Sequence, residues 1–387
     1  MKKVLVPSVR FKGFIEEWKE EKFGETIEPY RLKNHNKEKL TSYSISNKFG
    51  FVNQKEFFEN GGKAIRADKS NSLVVFSNSF AYNPARIDVG SIGLYRKEEK
   101  CLVSPIYEVF KTDRKMNDEF LFNWFKTDEF KWIVNKSKEG SVRNTVYLRN
   151  ISDYLINITS YIEQQKIGKL LENIDNLISL EEIKLNKLKQ LKETLLQKMF
   201  PEGNSKTPRI RFKGFSEVWK EDTIGNIAKV INGKSNTSDN NKWGQYNLYI
   251  RSEEIYKSNK YIFDVEGVIT VGDGNIGKIF HYVNEKFDLH QRCYLIYEFQ
   301  NIWPKYFYYY FSQNFYKRAI LMSYTATVNS IRMNTITDMD IMFPKELIEQ
   351  QKIGDFFSKI DSLLSLYQSK LNKLKQIKES LLQKMFV

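Results

Sequence analysis

Two segments of this chain occur twice. "VRFKGFIEEWKEEKFGE" from Val9 returns as "IRFKGFSEVWKEDTIGN" from Ile210, and "EQQKIGKLLENIDNLISLEEIKLNKLKQLKETLLQKMF" from Glu163 returns as "EQQKIGDFFSKIDSLLSLYQSKLNKLKQIKESLLQKMF" from Glu349. Roughly two thirds of positions in the longer pair are identical. A chain with this pattern folds as two halves of one plan, each short segment opening a half and each long one closing it. Weaker matches keep the same order between them. "EFLFNWFKTDEFKW" from Glu119 parallels "KYFYYYFSQNFYKR" from Lys305, "GSVRN" from Gly140 parallels "ATVNS" from Ala326, and "NISDYLI" from Asn150 parallels "TITDMDI" from Thr335.

The long repeat reads as a helix. It has no internal Pro, and Ile167, Leu170, Ile174, Leu177, Leu188, Leu191 and Leu195 fall near heptad spacing. At 1.5 Å per residue such a helix is roughly 55 Å long. Pro201 and Gly203 end the first copy, and "PEGNSKTP" connects to the second half. Two helices with the same stripe pack most economically on each other, antiparallel, which relates the halves by a pseudo-twofold axis. The expected fold is mixed α/β: two globular domains (1–162 and 209–348) separated by two long antiparallel coiled-coil helices (163–200 and 349–387), with 201–208 as a linker. The lysines of "KLNKLKQ" then line an outer face, either solvated or partner-binding.

Unlike globular parts joined to near-identical helices suggest that the variable parts face different targets and the repeated parts face one kind of partner. Recent duplication followed by drift would leave the same pattern. Charge narrows the targets: 61 Lys and Arg against 47 Asp and Glu give +14, a field that favours polyanions such as nucleic acid. No stretch approaches 18 apolar residues and "VLVPSVRF" is too short for a signal core, so a cytoplasmic protein with no membrane partner is expected. Cys101 and Cys293 lie far apart, and His35, His281 and His290 are not at metal-ligand spacing. Neither a disulfide framework nor a zinc site is expected.

"VGDGNIGKIF" from Val271 matches two phosphate-binding patterns, because Gly272, Gly274 and Gly277 spell G-x-G-x-x-G and residues 272–278 spell G-x-x-x-x-G-K. Both patterns need a helix to follow, since its N-terminal N–H groups hold the phosphate. Here the following residues are aromatic and β-branched, and Ile279 stands where the magnesium-binding Ser or Thr belongs. A glycine turn between strands fits better. "VGSIGLY" from Val89 occupies the matching place in the first half without either fingerprint. The run "YFYYYF" could stack on bases, but its match to "EFLFNWF" favours a helix packed into the core.

The order of domain, helix, domain, near-copy of the helix, marked by "RFKGF…W", "EQQKIG" and "LNKLKQ…LLQKMF", resembles the specificity subunits of type I restriction-modification systems over essentially the whole chain. The resemblance implies two target-recognition domains, each reading one half of a split double-stranded DNA site, and conserved helices that act as a spacer and bind two methyltransferase subunits. Restriction and translocase subunits would join through that complex. It also implies a non-catalytic chain without cofactor or metal. No N-P-P-[FY] methyltransferase motif is present; in "YNPARI" from Tyr82, Ala85 replaces its second proline.

Base-edge reading needs forked donors and acceptors, and phosphate contacts need Lys, Arg, hydroxyls or backbone N–H groups. In the first domain "SYSISNKFGFVNQ" offers Tyr43, Ser46, Asn47 and Lys48; "SNSFAYNPARI" offers Asn78, Tyr82, Asn83 and Arg86; "KSKEGSVRNT" offers Lys138, Ser141, Arg143 and Asn144. In the second, "INGKSNTSDNNKWGQ" offers Lys234, Ser235 and Asn236, "YIRSEEI" offers Arg251 and Ser252, and "VGDGNIGK" offers Asn275 and Lys278. His290, Gln291 and Arg292 follow, with His290 and Arg292 on one surface if the run is a strand. "TATVNS" adds Thr325, Thr327 and Asn329. Two rivals stay open: a nucleotide-dependent enzyme using residues 272–278, and a coiled-coil scaffold whose charge is incidental.

Overall fold

A computed structural model describes residues 5–58, 68–138, 145–203, 205–323 and 329–387. It divides into two units, Met1–Glu181 with Lys370–Val387, and Glu182–Ser369. The division falls inside two 39-residue helices, Tyr161–Met199 and Leu347–Met385, so each unit holds a globular part and a segment of each helix.

In unit 1 the strands are β1 (Lys19–Lys22), β2 (Ile27–Pro29), β3 (Tyr43–Ser46), β4 (Gly50–Asn53), β5 (Leu73–Val75), β6 (Ser79–Tyr82), β7 (Ile92–Tyr95), β8 (Cys101–Val103), β9 (Glu108–Thr112) and β10 (Leu155–Ile158). β2, β9, β6 and β7 form a four-stranded antiparallel sheet, and the pairs β1/β10, β3/β4 and β5/β8 stand beside it. The aromatic run that the repeat pairs with "YFYYYF" forms two helices here, Asp118–Trp124 and Asp128–Lys138. Thr127 separates them: its hydroxyl donates to the Trp124 carbonyl at 2.7 Å and accepts from the Phe130 N–H at 3.4 Å, capping the second helix.

In unit 2, β11 (Lys220–Thr223) pairs antiparallel with β18 (Asp340–Phe343), as β1 pairs with β10. The remaining strands are β12 (Lys229–Asn232), β13 (Tyr246–Tyr249), β14 (Ile255–Ser258), β15 (Phe263–Val271), β16 (Phe280–Leu289) and β17 (Cys293–Tyr297). They form one sheet in the order β12-β17-β15-β16-β13-β14, in which only β13/β16 is parallel. "YFYYYF" lies in the helix Pro304–Leu321, where Tyr306, Phe307, Tyr309, Tyr310, Phe311 and Phe315 are buried.

The repeated motifs close on one another inside each unit. Arg10 donates to both carboxylate oxygens of fully buried Glu163 at 2.6 and 2.7 Å; Arg211 does the same to Glu349 at 2.7 and 2.8 Å. The next residue ties the helix to the globular part. The Gln164 side chain accepts from the Asn117 N–H and donates to the Lys115 and Thr159 carbonyls, while Gln350 accepts from the Trp303 N–H and donates to the Asn301 and Pro344 carbonyls. Trp18 and Trp219 are each 2% exposed, and both short motifs hydrogen-bond a helix end, Val9 N–H to the Lys384 carbonyl and Ile210 N–H to the Lys198 carbonyl. "RFKGF…W" and "EQQKIG" therefore recur largely because they bind each other. Part of the repetition thus has an internal cause, beside any shared partner.

The helical stripe differs in phase from the expected one. Leu177 and Leu191 are half exposed, whereas Leu171 and Leu185 are buried with Ile167 and Ile174. Spacing alternates four then three, not three then four; apolar doublets such as Leu170-Leu171 permit both phases, and the packing chooses. Within unit 1 Lys378 pairs with Asp175 and Lys370 with Glu181, so the two helical segments run in opposite directions there. Unit 2 repeats the first contact as Lys192 with Asp361.

Candidate nucleic-acid interface

The glycine run does not open a helix. Residues 272–279 connect β15 to its antiparallel neighbour β16, with Gly274 and Gly277 at φ +76° and +66°. Gly277 also lies where a Cβ would sit 2.8 Å from the Tyr316 Cα, so both conformation and space require glycine. The motif is a strand-connecting turn, and its fingerprint is explained by backbone geometry.

That turn meets four other loops at one end of the six-stranded sheet. The Gly272 N–H donates to the Arg292 carbonyl at 2.7 Å and the Gly274 N–H to the Asn329 carbonyl at 2.9 Å. Ser235 and Lys234 N–H groups both reach the Leu289 carbonyl, Gln291 N–H reaches the Ser235 carbonyl, and His290 N–H reaches the Tyr249 carbonyl just before Arg251. Backbone bonds thus gather Lys234, Asn236, Arg251, Asn275, Gln291, Arg292 and Asn329, with Ser252 half-buried beside them. Gln291 donates to Asn236 at 2.6 Å, and Arg251 and Arg292 face Asp273 at 3.2 and 4.0 Å. Lys278 is exposed, 5.5 Å above the Tyr316 ring.

Two candidates of this unit belong to its interior. Ser235 is buried and donates to Asp288 at 2.6 Å, while Ser258 holds the other oxygen at 2.9 Å. His290 is also buried. Residues 290–292 turn instead of continuing a strand, so His290 and Arg292 do not share a face as expected; Arg292 is exposed. The Arg292 N–H donates to His290 Nδ1 at 3.0 Å, which assigns the proton to Nε2. Burial and then the Arg251 charge hold this imidazole below its usual range, Asp273 opposing.

In unit 1 the surface is less continuous. Asn47 and Lys48 are exposed at the β3–β4 tip, and the Ser46 hydroxyl accepts from the Lys48 and Phe49 N–H groups to shape it. The Ser91 hydroxyl donates to the Ile45 carbonyl at 2.8 Å, carrying this hairpin next to the 83–91 turn. There Asn83 accepts from the Ala85 N–H, Arg86 is exposed, and Lys138 pairs with Asp88 at 2.5 Å. Asn78 sits at the opposite end of the β6–β7 hairpin, where its N–H meets the Tyr95 carbonyl. Tyr82 is a correction: it is fully buried and donates to the Val146 carbonyl at 3.1 Å. Tyr43 is buried too, with Lys97 donating to its hydroxyl at 2.8 Å. Alternation along β3 turns Tyr43 inward, whereas β6 is buried along its whole length and takes Tyr82 with it. Ser141, Arg143, Asn144, Thr325 and Thr327 lie outside the described residues.

Sequence reasoning passed over Asp273 and Asp288, which organise this end of unit 2. Their side-chain partners lie 19 residues or more away in sequence, at Arg292, Arg251, Ser258 and Ser235, so no local pattern shows them. It also passed over Trp243, 85% exposed beneath Lys242, and Phe49 beneath Lys48. Among the described residues no helix is long and apolar enough to cross a membrane.

Known proteins share this arrangement. The family model of the type I restriction modification DNA specificity domain matches residues 15–190 and again 216–376. The type I restriction enzyme EcoDI specificity subunit of Escherichia coli is 31% identical over 165 residues, 42% of this chain and 35% of that protein, so the match spans about a third of the relative's length. The crystal structure of a type I restriction-modification S subunit from M. genitalium superposes with a TM-score of 0.69 at 14% identity, covering 99% of each chain. A chain from a structural study of complex assembly and conformational transition in the type I R-M system gives 0.50 at 18% identity, covering 95% of this chain and 97% of that one. With two copies of its defining domain accounting for most of the sequence, this chain belongs to the type I restriction-modification DNA specificity family.

Proposed function

We propose that the chain is the non-catalytic DNA-recognition subunit of a type I restriction-modification complex, each globular domain reading one half of a bipartite double-stranded site. The observation that carries this reading is the loop cluster of unit 2, where side chains able to read bases and hold phosphates converge at one sheet end in a chain of net charge +14. The 46–48 tip, Asn83, Arg86 and Lys138 supply the weaker counterpart in unit 1. The domains are 1–162 and 209–348, and the long helices act as an antiparallel coiled-coil spacer of roughly 55 Å that sets the distance between half-sites. The two ion pairs of unit 1, Lys378 with Asp175 and Lys370 with Glu181, support that direction.

Adenine methylation, translocation and cleavage then fall to partner subunits in the cytoplasm. Support for two copies of one methyltransferase comes from apolar residues left exposed at matched positions. Unit 1 exposes Leu177, Leu180 and Ile377, and unit 2 exposes Leu363, Leu366 and Leu191. In the internal repeat each of these is the sequence equivalent of one in the other unit, and exposed apolar groups in rows favour protein docking.

Long-read methylation mapping in a methylation-free host, expressing the chain with its cognate methyltransferase, tests the function. The expected result is a split motif carrying adenine methylation on both strands, lost when this chain is omitted. An assembled, active methyltransferase that yields no motif would sink the recognition reading and favour a scaffold.

A further inference from the structure

We propose that Arg251 is a guanine reader held in place by Asp273, so that the half-site recognised by unit 2 contains a G·C pair. This rests on the DNA-recognition reading and adds the identity of one base pair to it. Arg251 Nη1 lies 3.3 and 3.2 Å from the two oxygens of Asp273, and Arg292 Nε lies 4.0 Å from one of them. Two guanidinium groups share one carboxylate, so the cluster keeps a positive charge where an ordinary surface pair would be neutral.

The carboxylate is the fixed partner. The Asp273 side chain is 13% exposed, its backbone bridges to Ser330, and it stands between two glycines. At Gly272 a Cβ would lie 2.8 Å from the Tyr294 ring and 2.9 Å from the Arg292 carbonyl; Gly274 needs φ +76°. The Arg251 side chain, by contrast, is 47% exposed, and its contacts to Asp273 use Nη1. A largely covered acid gripping one corner of an exposed guanidinium orients the rest of that fork outward. A forked donor matches the O6 and N7 acceptors of guanine in the major groove, which a lysine cannot reproduce. Arg292, 65% exposed and more loosely held, supplies charge for a phosphate. In unit 1 the matching turn carries Lys138 on Asp88, a point charge without a fork, so the inference applies to unit 2 alone.

The test uses the full chain co-expressed with its methyltransferase and read by methylation mapping. Exchanging residues 209–348 for those of another family member assigns one half-site to unit 2. That half-site is expected to contain a G·C pair, and Arg251→Lys to reduce the preference for it about 5- to 150-fold while the other half-site stays strict. Asp273→Asn should relax the same position, whereas Arg292→Ala should lower methylation at all sites evenly. A unit 2 half-site without a G·C pair, or an Arg251→Lys protein as strict as the parent, overturns this inference and leaves the recognition reading standing. Absence of any split motif overturns both.

Discussion

Removing Glu163 tests whether the paired motifs hold unit 1 together. Its carboxylate is fully buried and bound at both oxygens by Arg10, which is itself 10% exposed, with Thr159 donating a further hydrogen bond. In Glu163→Ala the guanidinium stays buried without its counter-charge, which costs about 3–5 kcal/mol. In a unit of this size each kcal/mol moves the midpoint about 2–4 °C, so calorimetry should show the transition of unit 1 falling by about 6–20 °C. Glu349→Ala should do the same to unit 2 through Arg211. The double variant Arg10→Met/Glu163→Leu removes both charges and should recover most of the loss, because apolar replacement of a buried pair is near neutral. A Glu163→Ala cost below about 1 kcal/mol, the size of an exposed pair, would refute the reasoning. So would a double variant as unstable as the single one.

Lys126 gives a pH-dependent case. Burial, reinforced by the Lys378 charge and opposed by Asp175, pushes its ammonium down to about 8. A lysine depressed in the fold destabilises it fully below that value, and the cost fades as pH rises toward the unfolded value near 10.5. Lys126→Met should therefore be more stable than the parent at pH 7 by on the order of 3 kcal/mol, with the gap closing by about pH 10 in denaturant titrations. Asp175 keeps Lys378 in either case; a pH-independent gap would disprove the assignment. Leu180→Asp and Leu366→Asp should change stability by less than about 0.5 kcal/mol yet abolish co-purification with the methyltransferase. Retained assembly would remove that face from the interface. Gly277→Ala forces a side chain into φ +66° against Tyr316 and should cost about 2 kcal/mol or more, measurable as a lower unit 2 midpoint.

Much of this architecture is written in the repeats. Closely similar segments at Val9 and Ile210, and at Glu163 and Glu349, announce two halves, and an uninterrupted apolar period announces the long helices. The failure of the glycine fingerprint was also legible, because the aromatic and β-branched residues after Gly277 favour a strand and no helix start signal follows the glycines. These are local properties, carried by neighbours in sequence. Long-range geometry decided the rest. Leu171 is fully buried while Leu170 packs only at the edge of the core, because burial depends on what lies opposite, and Tyr82 and Ser235 turned inward because a buried strand and a buried carboxylate claimed them. Asp273 gained its place only when backbone hydrogen bonds brought loops from residues 251, 273 and 292 together. Periodicity encodes which face of an element is apolar; the partners of a polar side chain are set by distances that exist only after the sheet has formed.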